Sequence, residues 1–233
     1  MGGEYFSFGR LLYFIPKVLS ALPTTLLIVI VATAGGLVIG MILALVRIEK
    51  VPVLSQISLV AVSFLRGTPI IIQMFIVYYG LPLLLQGVGV DIMWWDKIYY
   101  IFVTYALNTA AFFSEIIRSS VLSVPKQQRE AAAASGLTKL QTYRRVVIPQ
   151  SISIAIPSLG MSMTGLLQDT SLAFTLGILD VIGRVRALGA ITSHVLEGYI
   201  VAACIFILLS IGLEKLFGWL ERKTTYRTAL MAA

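Results

Sequence analysis

Residues 22–46 contain no charged side chain, and that run of 25 fixes what the chain can fold into. A helix needs about 20 apolar residues to cross a bilayer, and a run this long exceeds an ordinary soluble core element. Four further apolar stretches follow. Residues 51–90 hold one charge, Arg66, while 98–114, 146–168 and 198–213 hold none. Only 12% of the chain is charged and 58% is hydrophobic, against about 25% charged residues in soluble domains. The expected fold class is an all-α integral membrane protein with five transmembrane helices, spanning about 22–46, 67–86, 98–118, 146–168 and 195–217.

Local chemistry divides these runs. Gly35, Gly36 and Gly40 allow another helix to approach the first span closely, within the subunit rather than in a dimer. The stretch 51–90 is too long for one straight helix, and Gly67 with Pro69 predicts a break. Arg66 then sits at the broken end or snorkels to an interface. Trp94 and Trp95 read as interfacial anchors. Glu115 and Arg118, three apart, can pair on one helix face. Residues 1–21 read as an interfacial segment, with an amphipathic helix over 10–15, rather than a cleavable signal. Residues 221–233 read as a basic tail.

Net charge is +7, but the basic residues lie between apolar spans, which points to membrane topology rather than nucleic acid. Twelve Lys/Arg fall in 47–50, 118–145 and the C-terminal stretch from Lys215 to Arg227, against five on the other side, with Arg66 unassigned. The positive-inside rule therefore places the N-terminus outside and the 118–145 loop and C-terminus in the cytoplasm. The lone Cys204 reads as packing, and the lone His194 has no neighbours for a metal site.

The stretch 123–145 is polar, basic and helix-forming. Ser123 is expected as an N-cap, Gly136 as a positive-φ stop, and Thr138 with Gln141 as a capping box. Pro149 is expected to break or kink the helix that follows. Glu130-Ala131-Ala132, Gly136 and Ile148-Pro149 resemble the EAA loop of the membrane subunits of ABC importers. Arg66-Gly67-Thr68-Pro69, Gln73, Tyr78-Tyr79-Gly80-Leu81-Pro82, Ser114-Glu115-Ile116-Ile117-Arg118 and Gln168-Asp169-Thr170-Ser171-Leu172 resemble the polar-amino-acid permease branch. The resemblance covers roughly 22–222 and implies the type I ABC importer permease fold. Its loop is a cytoplasmic coupling helix that docks into a groove on an ATPase, so Glu130, Ala131, Ala132, Gly136 and Pro149 are the expected coupling residues.

The same resemblance implies the assembly: two ABC ATPase subunits, a second permease subunit (identical or paralogous) and an external amino-acid-binding protein, in the inner membrane of a prokaryote. No GxxxxGK[ST] occurs, so ATP-Mg would be bound by the partner ATPase and the chain needs no cofactor of its own. No nucleophile and base stand together, which argues against an enzyme. The expected substrate residues are Gln168, Asp169, Thr170 and Ser171, with Asn108 as a second pocket candidate or an interhelical hydrogen bond. At a helix break, Asp169 can receive an ammonium group while Thr170 and Ser171 meet a carboxylate. The plainer alternative is that Asp169 and Thr170 cap the next helix. The family usually has Lys where Gln168 stands, and the form Gln-Asp-Thr-Ser-Leu-Ala-Phe resembles the cystine-importing members. A permease for another small solute and a non-transporting membrane assembly protein are the competing readings.

Overall fold

The computed structural model describes residues 6–192 and 194–232, with side chains up to residue 224. The described residues form helices joined by turns and short loops, with no strand among them. In order they form α1 (Phe8–Leu19), α2 (Leu22–Ile48), α3 (Leu54–Gly67), α4 (Ile70–Gln86), α5 (Lys97–Leu122), α6 (Lys126–Ala134), α7 (Lys139–Thr142), α8 (Ile148–Asp169), α9 (Val181–Thr192) and α10 (Leu196–Ala232). Four helices are long and apolar enough to cross a membrane, or five if the bent pair α3 and α4 counts as one span.

The centre is the α2–α5 pair. The α2 glycines are what allow it. A Cβ on Gly36 would lie 2.6 Å from Thr109 Cγ2, and one on Gly40 would lie 2.9 Å from the Ala110 carbonyl oxygen. Without side chains there, the two backbones meet directly. Around this seam Ile28, Ala32, Met74, Ile101, Tyr105 and Leu167 form the main core. A second core joins Phe14 and Val18 of α1 to Val181, Val185, Val201 and Ala202 of α9 and α10. The amphipathic N-terminal helix thus packs its apolar face on protein.

Gly67 and Pro69 do interrupt the second apolar stretch, which bends by 117° between α3 and α4. Pro149 does not break its helix. The winding is continuous from 139 to 176, and the change at this proline is a π turn over Tyr143–Val147 directly before it, with Pro149 in the first turn of α8. Ser123 is not an N-cap. It ends α5, its hydroxyl donating to the Ser119 carbonyl at 2.8 Å, and Pro125 precedes α6. Cys204 is exposed on α10 rather than packed. His194 lies 3.4 Å from the buried Glu197, whose carboxylate also accepts from the Ser7 backbone N–H at 2.9 Å.

Candidate functional site

The break between α3 and α4 creates a chemical problem that the fold must solve. Pro69 has no N–H, so the Leu65 carbonyl loses the donor that a continuing helix would supply. Gln73 supplies it instead. Its Nε2 lies 2.7 Å from the Leu65 oxygen, and 2.9 Å from both the Thr68 carbonyl and the Thr68 hydroxyl. Asn108, from the middle of α5, donates to Gln73 Oε1 at 3.1 Å and more weakly to Leu65 at 3.3 Å. Both amides are buried. Arg66 stays exposed at the end of α3, its guanidinium 5.5 Å from the Phe112 ring centre.

A second break faces this one. α8 ends at Asp169, and a tight 3-10 turn over Thr170–Leu176 closes on Gly177 at φ 83. The Tyr105 hydroxyl donates to the Asp169 carbonyl at 2.5 Å, which ties the end of α8 to α5. The Asp169 side chain caps nothing. Among the described residues its carboxylate has no hydrogen-bond or ion-pair partner.

Asp169 lines two neighbouring cavities. One, of about 390 Å³, is lined by Asn108, Phe112, Ser158, Ser162 and Asp169 among others. The other, of about 300 Å³, is lined by Leu65, Thr68, Asn108, Phe112 and Asp169 among others. Ser158, Ser162, Gly165 and Asp169 follow the i, i+4, i+7, i+11 spacing of one helical stripe, so α8 presents hydroxyls along the path that ends at the carboxylate. An unpaired carboxylate among apolar walls suits an ammonium group, and nearby hydroxyls suit a carboxylate partner.

The structure therefore splits the predicted quartet. Asp169 lines both cavities and Asn108 joins it, although the Asn108 amide N–H groups are already committed. Gln168 points the other way, into an open groove between α8 and α10 that also holds Glu214 and Arg222. Thr170 is fully buried, its hydroxyl donating to Leu167 at 2.7 Å. Ser171 is half-buried, and neither hydroxyl residue lines the two cavities. Sequence reasoning passed over Ser158 and Ser162, which the four-residue spacing on α8 could have flagged. It also left Gln73 without a role, although a Gln four residues after a Pro can reach back to the carbonyl that the Pro abandons.

At one end of the bundle the loop 123–145 forms a compact corner. Gly136 adopts φ 78 between α6 and α7, and the capping box at α7 is complete on both sides. Glu130, Ala131 and Gly136 are exposed, whereas Ala132 is buried at 7% exposure and faces inward. Pro149 is half-buried. Leu140 is 78% exposed, an apolar projection that the sequence reading did not single out. Arg129 donates to the Val121 carbonyl at 2.6 Å, and Gln150 of α8 donates to Gln128 of α6. Lys139 pairs with Glu49 at 2.7 Å. The corner is thereby tied to α2, α5 and α8 at once. Beside it, Glu115 pairs with Arg118 at 2.9 Å, as spacing predicted, and also with Arg47 of α2 at 2.5 Å.

Comparison with known proteins places these features in a wider set. Residues 36–226 match the family described as binding-protein-dependent transport system inner membrane component. The chain is 41% identical over 210 residues to the L-cystine transport system permease protein TcyL of Bacillus subtilis (strain 168), covering 90% of this chain and 88% of that one. It is 37% identical to the probable amino-acid permease protein YxeN of the same organism, covering 91% and 94%. It is 34% identical to the nopaline transport system permease protein NocM of Agrobacterium fabrum (strain C58 / ATCC 33970), covering 86% and 85%. The fold resembles a crystal structure of an amino acid ABC transporter with histidines, at TM-score 0.83 and 26% identity, covering 94% of this chain and 99% of that one. An inward-facing MetNI methionine transporter shares the fold at TM-score 0.72 and 16% identity, with coverage of 94% and 99%.

Proposed function

Because the chain belongs to the binding-protein-dependent transport system inner membrane components, the permeases of ABC importers, we propose that it forms the membrane path for a polar amino acid, with L-cystine the leading cargo. The observation that carries this reading is the partnerless Asp169 carboxylate, set at a helix break beside Asn108 and the hydroxyl stripe of α8. Broken helices near the middle of a membrane are where transporters place substrate sites, and an ionisable residue there is a functional group by default. Asp169 receives the ammonium group, and Ser158, Ser162 and Thr68 are in position to meet the other polar groups of the cargo. The choice of cystine is supported by the likeness to a cystine permease.

Transport runs by alternating access. Two ATPase subunits bind ATP-Mg, close and reopen, and push on the exposed corner made by Glu130, Ala131, Gly136 and Leu140. A second permease subunit, identical or paralogous, completes the path, and an external binding protein delivers the amino acid. The corner faces the cytoplasm and the N-terminus lies outside, in keeping with the excess of Lys/Arg on the corner side.

Uptake of labelled cystine, arginine, glutamine and histidine by the transporter complex in lipid vesicles tests the site. Asp169→Asn preserves shape and removes charge. A charge-assisted hydrogen bond contributes about 1.5–3 kcal/mol, so uptake should fall roughly 10- to 150-fold at limiting substrate with the ATPase complement intact. Undiminished uptake removes Asp169 from the path.

A further inference from the structure

Apart from the transport path, we infer that the groove at the α2–α3 corner binds the phosphate headgroup of an anionic phospholipid. The groove encloses about 450 Å³ and is lined by Arg47, Lys50 and Arg118, with Ser55 and Gln56 beside them. One carboxylate faces this cluster. Glu115 is shared between Arg47 and Arg118, so three cations meet one anion and a net excess of two positive charges remains. Glu49, the other acid at this end of α2, is turned away to Lys139.

The backbone offers the ligand little. The Leu54 N–H already bonds to the Pro52 carbonyl at 2.7 Å, and the Ser55 N–H to Val51 at 2.9 Å. An anion here is held by side chains. The groove also continues onto an apolar face, since Val53, Leu54, Ile57 and Val60 of the same corner and helix are all exposed. Cations at the end of a helix with bare apolar side chains along it match a headgroup with its acyl chains. A dissolved phosphate would use only the first of these surfaces. The inference needs the chain to lie in a membrane and is independent of the cargo.

The test uses the whole transporter in phosphatidylcholine vesicles with about a quarter phosphatidylglycerol, carrying trace spin-labelled forms of either lipid. The ratio of motionally restricted phosphatidylglycerol to phosphatidylcholine reports selectivity. The native complex should retain phosphatidylglycerol preferentially, and Lys50→Gln or Arg118→Gln should each lower that preference roughly fivefold. Lys50 has no ion pair among the described residues, so its replacement leaves the fold intact even if the Arg118 variant proves unstable. Lys126→Gln, on the exposed start of α6, should change nothing. No loss in Lys50→Gln, or an equal loss in Lys126→Gln, overturns the site. Displacement of restricted lipid by inorganic phosphate assigns the groove to a soluble anion and overturns it as well. Selectivity present in the permease alone but absent from the complex would mean that a partner subunit covers the groove, with the same consequence. Amino-acid uptake in the same vesicles reports separately on the transport reading.

Discussion

The Asn108 side-chain amide donates to Gln73 Oε1 at 3.1 Å, joining the middle of α5 to the start of α4 across 35 positions of sequence. Gln73 in turn satisfies the Leu65 carbonyl that Pro69 leaves without a donor, and the Thr68 carbonyl at the break itself. One hydrogen-bonded pair thus holds the broken helix open against the cavity that Asp169 lines.

Gln73→Leu keeps the volume and removes every donor. Two partly buried acceptors lose Gln73 as a partner: the Thr68 carbonyl, and the Leu65 carbonyl, which keeps only the longer Asn108 contact. A buried acceptor left unsatisfied costs about 1–3 kcal/mol, and partial burial puts these at the low end. The melting temperature of the purified permease in detergent should drop clearly. A melting curve that matches the native chain would show that the break does not depend on this cap.

The α2–α5 seam makes a sharp contrast between glycines. Gly36→Val places a Cβ 2.6 Å from Thr109 Cγ2, where α5 must move. Overpacking of this kind costs about 1–3 kcal/mol. Gly80→Ala meets nothing closer than 4.0 Å and should be neutral or slightly stabilising. Thermal unfolding of the two variants side by side decides it, and equal stability would refute the close-approach argument.

Gly136→Val puts a Cβ at φ 78, a strain of about 1–2 kcal/mol, and turns the α6–α7 corner. Because the spans are untouched, the expected result is an assembled but poorly coupled transporter. Leu140→Glu and Glu130→Lys should instead weaken ATPase attachment. ATPase stoichiometry, ATP hydrolysis and uptake, read together in lipid, separate these outcomes. Full attachment and full uptake in all three variants would remove the corner as the docking surface.

Asp180 begins α9, accepting from the Gly183 N–H at 2.8 Å and the Ile182 N–H at 3.3 Å. Burial pushes its carboxyl up to about 6, and those donors only partly oppose it. A folded value above the ordinary one means that the native state holds the proton more tightly than the unfolded chain. Its contribution is full below the ordinary carboxylate range and is lost as pH rises through about 6. Asp180→Asn retains an acceptor for Gly183 and cannot titrate. The stability difference, native minus variant, should therefore shrink as pH rises from 4 to 7. A difference that is flat or grows with pH contradicts this assignment.

Orientation is tested by thiol labelling in intact cells, after Cys204→Ser removes the exposed native thiol. A cysteine at Lys139 should resist an impermeant reagent, and one at Asp91 should react. Labelling in the opposite order would invert the topology.

The sequence by itself determined the features that depend on a few adjacent residues. Uncharged runs marked the long helices, Gly67 and Pro69 marked the break, and Gly136, Thr138 and Gln141 marked the corner, because backbone preference and capping act within one or two turns. Even the Glu115–Arg118 pair followed from spacing alone. Tertiary structure decided which polar groups meet. Arg47 reaches Glu115, and Asn108 reaches Gln73, only because the glycines of α2 and the bend after α3 set how near the helices lie. It also decided the facing of the 168–171 quartet. The helix ends at Asp169 and a tighter turn follows, so each successive side chain leaves in a direction that depends on where the winding changes. That is why Asp169 lines the cavities, Gln168 faces α10, Thr170 is buried and Ser171 is half-buried, a division fixed by packing against α5 and α10 rather than by the residues themselves.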